Sequence, residues 1–314
     1  AGIAGVSVLA LPALAQSRAE GPSSAAVQVA PGITATYSFT TLDDSADLTF
    51  NQLLGINDLG KIAGYFGSGM SAAHPNQGYT ISAYSGTTFT SENYPGSVQT
   101  QVTGLNDMGK TVGFYVDAAG NNFGFYMKNG VFSSFSAPGA GGKTRTTQLL
   151  GVNNEGMAVG FYNDAKGNAH GFELDTKTGA YSQLRLSGAV QLTASAINDD
   201  GDVAGFFVDA KNITKSFVVE NGMVETLAVP GASATQAFGI NDSDEVVGQY
   251  TLGKATHGFL WQNGRFVTID DPAGQGTTTV NGINNLGDLV GFYTDSANNT
   301  DGFVAQPQYL HTGA

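Results

Sequence analysis

Two histidines stand at the same place in a repeated phrase, and histidine suits proton transfer because its charge changes near neutral pH. His170 and His257 each open the tripeptide His-Gly-Phe. The matching places elsewhere in the chain hold other residues, which disfavours a multi-histidine metal centre. A single histidine acting as general base or substrate donor is one hypothesis. A half-exposed histidine with a structural role is the other.

Two cationic side chains form a cluster in a strongly acidic chain. Lys143 and Arg145 lie in the loop 139–147, GAGGKTRTT. Together they would clamp a carboxylate, such as that of an acidic polysaccharide or organic acid. A solvated loop that needs no ligand is the alternative. With His170 and His257 they are the catalytic candidates if the chain is an enzyme.

Four aspartates recur in short loops together with nearby asparagines. Carboxylate and carbonyl oxygens are the ligands that calcium prefers. However, no loop carries three alternating acidic ligands, and aspartate and asparagine are ordinary turn residues. We therefore expect no cofactor, with calcium as the alternative reading. The candidate calcium ligands are Asp117, Asp164, Asp209 and Asp295.

Neutral hydrogen-bonding side chains stand three residues before each copy of the repeated phrase. If the repeats surround a common axis, these side chains form a ring at one mouth of a channel. Such a ring would hold the hydroxyls of a sugar, or ordered water, although a water-filled channel has polar walls in any case. The predicted ligand-binding residues are Gln52, Gln101, Gln148, Thr193, Gln236 and Thr279.

The repeated phrase, Gly-Ile-Asn-Asp-x-Gly-x-x-Val-Gly-x-Tyr, occurs six times. Successive copies are separated by 49, 47, 45, 43 and 43 residues, which is the period of one propeller blade. Within the phrase, Asn-Asp-x-Gly suits a hairpin turn, because the glycine takes a left-handed conformation. In the fifth copy Asp244 replaces this glycine. The copies begin at Gly55, Gly104, Gly151, Ala196, Gly239 and Gly282.

The first five repeats each contain four short runs typical of strands, bounded by Gly, Asn, Asp or Pro. The second repeat shows them most clearly, at 100–106, 110–117, 123–129 and 131–137. The sequence thus predicts an all-β fold, a six-bladed β-propeller with four antiparallel strands per blade.

The last repeat has no fourth strand, while an unassigned strand, 37–44, precedes the first repeat. This N-terminal strand resembles the fourth strand of the fifth repeat, 265–272. We therefore predict that it completes the last blade and closes the ring, so that no sheet edge is exposed.

The GINDxGxxVG phrase, followed twice by His-Gly-Phe, resembles the bacterial extracellular HAF-repeat family. The resemblance covers about 50–307, nearly the whole predicted mature chain. It implies a secreted β-propeller-like repeat protein without a settled activity. Fold and location gain support from it, and function stays open.

Composition excludes several classes of partner and chemistry. The net charge of −13 would repel nucleic acid and acidic membrane surfaces, and the lack of cysteine excludes disulfides and thiolate catalysis. The apolar run 1–15 ends in Ala-Leu-Ala, which predicts a signal-peptide remnant too short to span a membrane. We expect a flexible leader at 16–33, the propeller at 34–307 and a tail at 308–314.

Three functions compete on these observations. The first is a secreted or periplasmic binding module, a monomer that recognises a glycan or protein at the channel mouth. The second is a carbohydrate lyase or hydrolase working on the same face, although no known catalytic motif is present. The third is a structural or adhesive surface protein.

Overall fold

A computed structural model describes residues 24–30, 33–82 and 88–311. The described residues form β-strands and one short 3-10 turn, Pro272–Gly274, without an α-helix. Accordingly, this part of the chain has no helix with the length and apolar character to cross a membrane. The predicted signal remnant, 1–15, lies outside the described residues.

The strands are short and evenly spaced, as the repeats predict. They are β1 (Ser24–Ala30), β2 (Ile33–Thr41), β3 (Asn51–Ile56), β4 (Lys61–Phe66), β5 (Gln77–Ser82), β6 (Thr90–Ser91), β7 (Gln99–Leu105), β8 (Thr111–Val116), β9 (Asn122–Lys128), β10 (Val131–Phe135), β11 (Thr147–Val152), β12 (Met157–Asn163), β13 (Ala169–Asp175), β14 (Tyr181–Gln183), β15 (Ala189–Ile197), β16 (Val203–Asp209), β17 (Thr214–Glu220), β18 (Met223–Leu227), β19 (Ala234–Ile240), β20 (Val246–Leu252), β21 (Ala255–Gln262), β22 (Arg265–Ile269), β23 (Thr279–Ile283), β24 (Leu289–Thr294) and β25 (Thr300–His311).

Each repeat folds into antiparallel strands that pair in chain order. Four-stranded groups are formed by β3 to β6, β7 to β10, β11 to β14, β15 to β18 and β19 to β22. A single parallel pairing, between Thr214 and Ala234, joins the last two groups into one sheet. The first strands of the repeats contact one another around a central axis, with β23 contacting β3. Sheets arranged radially around a channel are the β-propeller architecture.

The N-terminal strand β2 pairs with β25 from Ile33 opposite His311 to Thr41 opposite Phe303. The sheet of the last repeat thus has the order β23, β24, β25, β2, β1. The flexible leader predicted for 16–33 is wrong for Ser24–Ala30, which form β1 on the free edge of β2. The tail is likewise shorter than predicted, because β25 continues to His311.

The repeated turn has the predicted chemistry. In the first repeat the Asn57 side chain accepts hydrogen bonds from the Leu59 and Lys61 backbone N–H groups. Gly60 follows with a φ of 72°. Asp244, which replaces this glycine in the fifth repeat, also takes the left-handed conformation, with a φ of 56°. Asparagine thus fixes the hairpin and a residue of positive φ closes it.

The glycine of Val-Gly-x-Tyr makes room for the core. A Cβ atom at Gly113 would lie 2.0 Å from the Gln101 carbonyl oxygen and 2.8 Å from the Phe125 ring. Phe125 is fully buried on the third strand of its repeat. The other repeats bury an aromatic ring at the same position, and these rings fill the space between neighbouring sheets: Tyr79, Phe172, Phe217, Phe259 and Phe303.

Candidate functional site

A cavity of about 470 Å³ opens at one mouth of the channel. Five of the six side chains predicted to form a polar ring line it, and the sixth, Thr279, donates a hydrogen bond to Gln249 in the wall at 2.7 Å. The sequence therefore located the residues that the fold brings together; that they bind a ligand stays a prediction. The five are Gln52, Gln101, Gln148, Thr193 and Gln236.

A β-bulge in each first strand shapes the floor of this cavity. In the first repeat the strand register shifts between Leu53 and Gly55, so that Leu54 is left unpaired and lines the cavity. The same shift recurs in every repeat at the glycine or alanine that opens the phrase. The other residues in this position also line the cavity: Thr103, Leu150, Ser195, Phe238 and Asn281.

An aromatic wall, which the sequence analysis missed, faces the cavity from three consecutive repeats. Phe114, Phe161 and Phe206 extend from second strands, and Phe238 contacts Phe206 with ring centroids 6.0 Å apart. A signal was present in the sequence, because each of the three follows the glycine of the repeated phrase.

Most of the polar groups in the wall are paired with one another. Gln101 donates to Asn76 at 2.9 Å, and Gln148 donates to Asn122 at 3.2 Å. On the other side, Gln249 donates to Gln236 at 2.9 Å. These pairs hold the amides in fixed orientations and leave some of their lone pairs for a ligand.

Two fully buried polar atoms of residues that line the cavity have no hydrogen-bond partner within the described residues. They are Nε2 of Gln52 and Oγ of Ser195, whose residues are 1% and 5% exposed. The Gln52 oxygen, in contrast, accepts a hydrogen bond from the Tyr65 hydroxyl at 2.7 Å. Burial raises the pKa of Tyr65 well above its usual value, so this hydroxyl stays protonated and remains a donor.

The residues that line the cavity are all uncharged. They are apolar residues, amides, hydroxyls and one glycine. Within the described residues, the lining therefore offers hydrogen bonds and apolar contact but no general acid or base.

The two histidines lie outside this lining. His170 pairs with Asp164 at 3.0 Å and stacks on Tyr162. His257 pairs with Asp270 at 2.7 Å and stacks on Tyr250. Each imidazole is thus held between a carboxylate and a tyrosine ring, which accounts for its position structurally.

Lys143 and Arg145 are exposed in the loop between β10 and β11 and also lie outside the lining. The loop is fixed through its backbone, because the Arg145 N–H donates to the Asn121 side chain at 3.0 Å. The four catalytic candidates therefore do not converge on the cavity.

The four candidate calcium ligands each close a turn with their own carboxylate. Asp117 accepts from the Ala119 and Asn121 backbone N–H groups, and its second oxygen accepts from the Asn121 side chain. Asp164 and Asp295 follow the same pattern, whereas Asp209 accepts the backbone N–H groups in the same way but pairs its second oxygen with Lys215 at 3.0 Å. The hydrogen bond from His170 holds the pKa of Asp164 well below its usual range. Across residues 24–30, 33–82 and 88–311 we find no cluster of three or more His, Asp or Glu side chains suited to a metal ion.

The opposite end of the channel is lined by the asparagines and aspartates of the repeated phrase. The side chain of each phrase asparagine donates to the backbone carbonyl of the next, at 2.9 to 3.2 Å. This chain of bonds closes on itself, because Asn284 donates to Asn57 at 3.1 Å. The members are Asn57, Asn106, Asn153, Asn198, Asn241 and Asn284.

The next residue of each phrase forms a second closed ring. Each backbone N–H donates to the side-chain oxygen of the following repeat, at 2.7 to 3.0 Å. Asn154 and Asn285 also donate to the carboxylates on both sides of them, which separates like charges. The repeated phrase therefore joins the repeats to one another. The members are Asp58, Asp107, Asn154, Asp199, Asp242 and Asn285.

No protein-family model and no curated protein matches the chain. Among solved structures, TolB from Acinetobacter baumannii is similar over 82% of this chain and 64% of TolB, with 13% identity and a TM-score of 0.55. AofleA from Arthrobotrys oligospora is similar over 88% of this chain and 91% of its own, with 11% identity and a TM-score of 0.51. At these identities the likeness shows the fold alone.

Proposed function

We propose that the six repeats form six blades and that β2 completes the last one. Three observations support this proposal. The first strands of successive repeats contact one another and the last contacts the first. The two hydrogen-bonded rings each pass once through every repeat. Finally, β2 occupies the place beside β25 where the other repeats carry their own fourth strand.

We further propose that the protein is a binding module whose cavity takes a neutral, hydroxyl-bearing ligand such as a sugar unit of a glycan. The observation that carries this proposal is the composition of the cavity wall. Amide side chains and aromatic rings line the cavity side by side, as where Gln101 lies opposite Phe114 on the neighbouring strand, and none of the described lining residues is charged. The volume falls in the usual range of small-molecule sites.

Sugars match this wall chemically. A pyranose ring presents hydroxyls at its edges, which amide side chains bind, and C–H groups on its faces, which pack on aromatic rings. A carboxylate or phosphate ligand would lose its hydration in the cavity without meeting a cation. We therefore expect neutral sugars to be preferred over acidic ones.

We expect binding without turnover at this cavity. Most glycoside hydrolases use a pair of carboxyl groups beside the substrate, and the described residues that line the cavity include no carboxyl group. Membership of the HAF-repeat family and export from the cytoplasm remain predictions, which rest on the repeated phrase and on the run 1–15. We therefore expect the protein to bind its ligand outside the cytoplasm.

Thermal unfolding with added sugars tests the proposal. We expect methyl α-L-fucoside, methyl α-D-glucoside or N-acetylglucosamine to raise the unfolding midpoint, because a ligand at 100 times its Kd stabilises the native state by about 2.7 kcal/mol. Glucuronic acid serves as the charged comparison.

Two matched glutamine variants locate the binding site. Gln101→Leu alters the wall, whereas Gln183→Leu alters an exposed glutamine outside it. The ligand-induced rise should shrink in the first variant and persist in the second. Equal rises in both would remove the cavity from consideration, and no rise with any neutral sugar would contradict the proposed function.

A further inference from the structure

One connection at the mouth of the cavity is much longer than its counterparts. The first repeat joins β4 to β5 through the ten residues 67–76, which we call the lip. Because β3 and β4 meet in the phrase turn at the opposite end of the channel, the lip lies at the cavity mouth. The corresponding connections of the other repeats have two to five residues: 117–121, 164–168, 210–213, 253–254 and 295–299.

The lip forms part of the cavity wall. Ser68, Gly69, Met70 and Asn76 line the cavity, whereas the other five connections contribute no lining residue in the part of the chain that the structure describes. Met70 is 66% exposed, so most of this apolar side chain faces solvent at the mouth. A sugar unit in the cavity would cover it, and methionine adapts to an irregular surface because its side chain is unbranched and polarisable.

The lip is held in place by bonds within it and to the strand before it. The buried side chain of Asn76 donates to the Gly67 carbonyl at 2.6 Å. The Gly69 backbone N–H donates to the His74 carbonyl at 2.7 Å, and the His74 ring pairs with Asp47 at 2.8 Å. A ligand that contacts the lip therefore loses little free energy in ordering it.

The height of the mouth differs around the channel. The lip raises it at the first repeat, and it is lowest at the fourth and fifth repeats, whose connections, 210–213 and 253–254, are the shortest. In the proposed ring of six blades the fourth repeat lies opposite the first. The opposite end of the channel is lined by a separate set of residues, so a ligand enters the cavity at this mouth.

We infer that the site recognises the end of a glycan chain. The terminal sugar unit lies in the cavity beside Met70, and the rest of the chain leaves the mouth over the fourth and fifth repeats. An internal segment would need two exits from the cavity, and a straight path across the mouth meets the lip. The inference rests on the proposed function and adds its substrate class, terminal sugar units.

Met70→Ala tests the contact with the lip, in calorimetric titrations with methyl α-L-fucoside, methyl α-D-glucoside and N-acetylglucosamine. For a probe that binds the wild type, we expect about three- to tenfold weaker binding, because the sugar loses apolar contact. Met223→Ala is the matched control and should bind like the wild type, since Met223 is 71% exposed and lies on β18, outside the cavity lining. Neither exposed side chain should affect the thermal midpoint. Equal affinities for Met70→Ala and the wild type would overturn the role of the lip.

Chain length tests the substrate class. Maltotriose, chitotriose and 2′-fucosyllactose carry glucose, N-acetylglucosamine and fucose, respectively, at a chain end. The oligosaccharide that ends in the preferred sugar should bind the wild type at least as tightly as the corresponding monosaccharide probe. α-Cyclodextrin, a ring of glucose units without a chain end, should not bind.

The outcomes separate the two proposals. If a monosaccharide probe binds but its oligosaccharide binds far more weakly, or if α-cyclodextrin binds as tightly as maltotriose, chain-end recognition is overturned and the binding function stands. If no monosaccharide probe binds the wild type, the proposed function fails and the inference fails with it.

Discussion

Asn106 shows how one side chain of the repeated phrase stabilises both its own hairpin and the contact with the next repeat. Its Oδ1 accepts the Lys110 backbone N–H within its own hairpin, and its Nδ2 donates to the Asn153 carbonyl of the next repeat. The residue is 4% exposed, so water cannot replace either bond. One side chain therefore both shapes a turn, through its oxygen, and joins neighbouring sheets, through its nitrogen.

We predict that Asn106→Ala lowers the free energy of unfolding by about 2–4 kcal/mol, because it removes the acceptor of the Lys110 N–H and the hydrogen bond between repeats, leaving the Asn153 carbonyl with the Gly156 N–H alone. Urea denaturation followed by circular dichroism measures the change. Met108→Ala, in the same hairpin but 62% exposed, should change stability by less than about 0.5 kcal/mol. Similar losses in the two variants would contradict the role assigned to the asparagine ring.

The sheet of the last repeat carries an unusual group of carboxylates where β2 meets β25. In the fifth repeat the carboxylate of Asp270 faces His257. The corresponding residues of the last sheet are Asp43 and Asp301, so two acids meet where the fifth repeat has an ion pair. Asp295 lies near both. Burial, and then repulsion between these acids, raises the pKa of Asp43 and of Asp301 to about 7.

This junction should make stability depend on pH. Both pKa values are above those of the unfolded chain, so the native state binds more protons. The stabilisation is complete below about pH 4 and is lost as pH rises towards 7. The groups facing Asp301 are Asp43, Asp295, Asp271 and the Tyr293 hydroxyl.

Thermal midpoints between pH 4 and pH 8 measure this effect. For the wild type we expect the unfolding midpoint to fall by several degrees over that range, because the native state loses the protons that the junction holds. Asp301→Asn should abolish most of it, while Asp200→Asn, an exposed control, should not. An Asp301→Asn variant with the pH profile of the wild type would show that the junction does not titrate as described.

At the scale of elements, local patterns in the sequence predicted the strands, the hairpins and the pairing of β2. The turn at Asn57 and the glycine at position 113 are each required by the local backbone and its nearest neighbours. Their regular spacing in the sequence was therefore enough to predict them. The aromatic wall was missed because, in the three repeats that form it, two adjacent aromatic residues follow the glycine of the repeated phrase, as in Phe114 and Tyr115. Which of them faces the cavity depends on how the sheets pack.

The unpaired amide of Gln52 was also beyond sequence reasoning. A ring of neutral residues is visible in the sequence, but hydrogen-bond satisfaction depends on three-dimensional neighbours. Only the structure shows that Tyr65 occupies one end of this amide and that the described protein leaves the other end without a partner. The β1 strand was missed for a similar reason, because it forms on an edge that β2 provides.

In the whole molecule, the two ends of the channel differ in structure. At one end the phrase residues form closed hydrogen-bonded rings, which join each repeat to the next. At the other end the bulges and the second strands surround a neutral cavity. The repeats therefore join into a scaffold at one end and surround the proposed binding cavity at the other, where their side chains differ from repeat to repeat.

Crystals of the protein grown with a neutral methyl glycoside test the central claim most directly. We predict electron density for the sugar inside the cavity, with hydroxyl groups within hydrogen-bond distance of lining amides such as that of Gln101 and a ring face against Phe114, Phe161 or Phe206. A sugar bound at the outer edge of the sheets, with only water in the cavity, would contradict it.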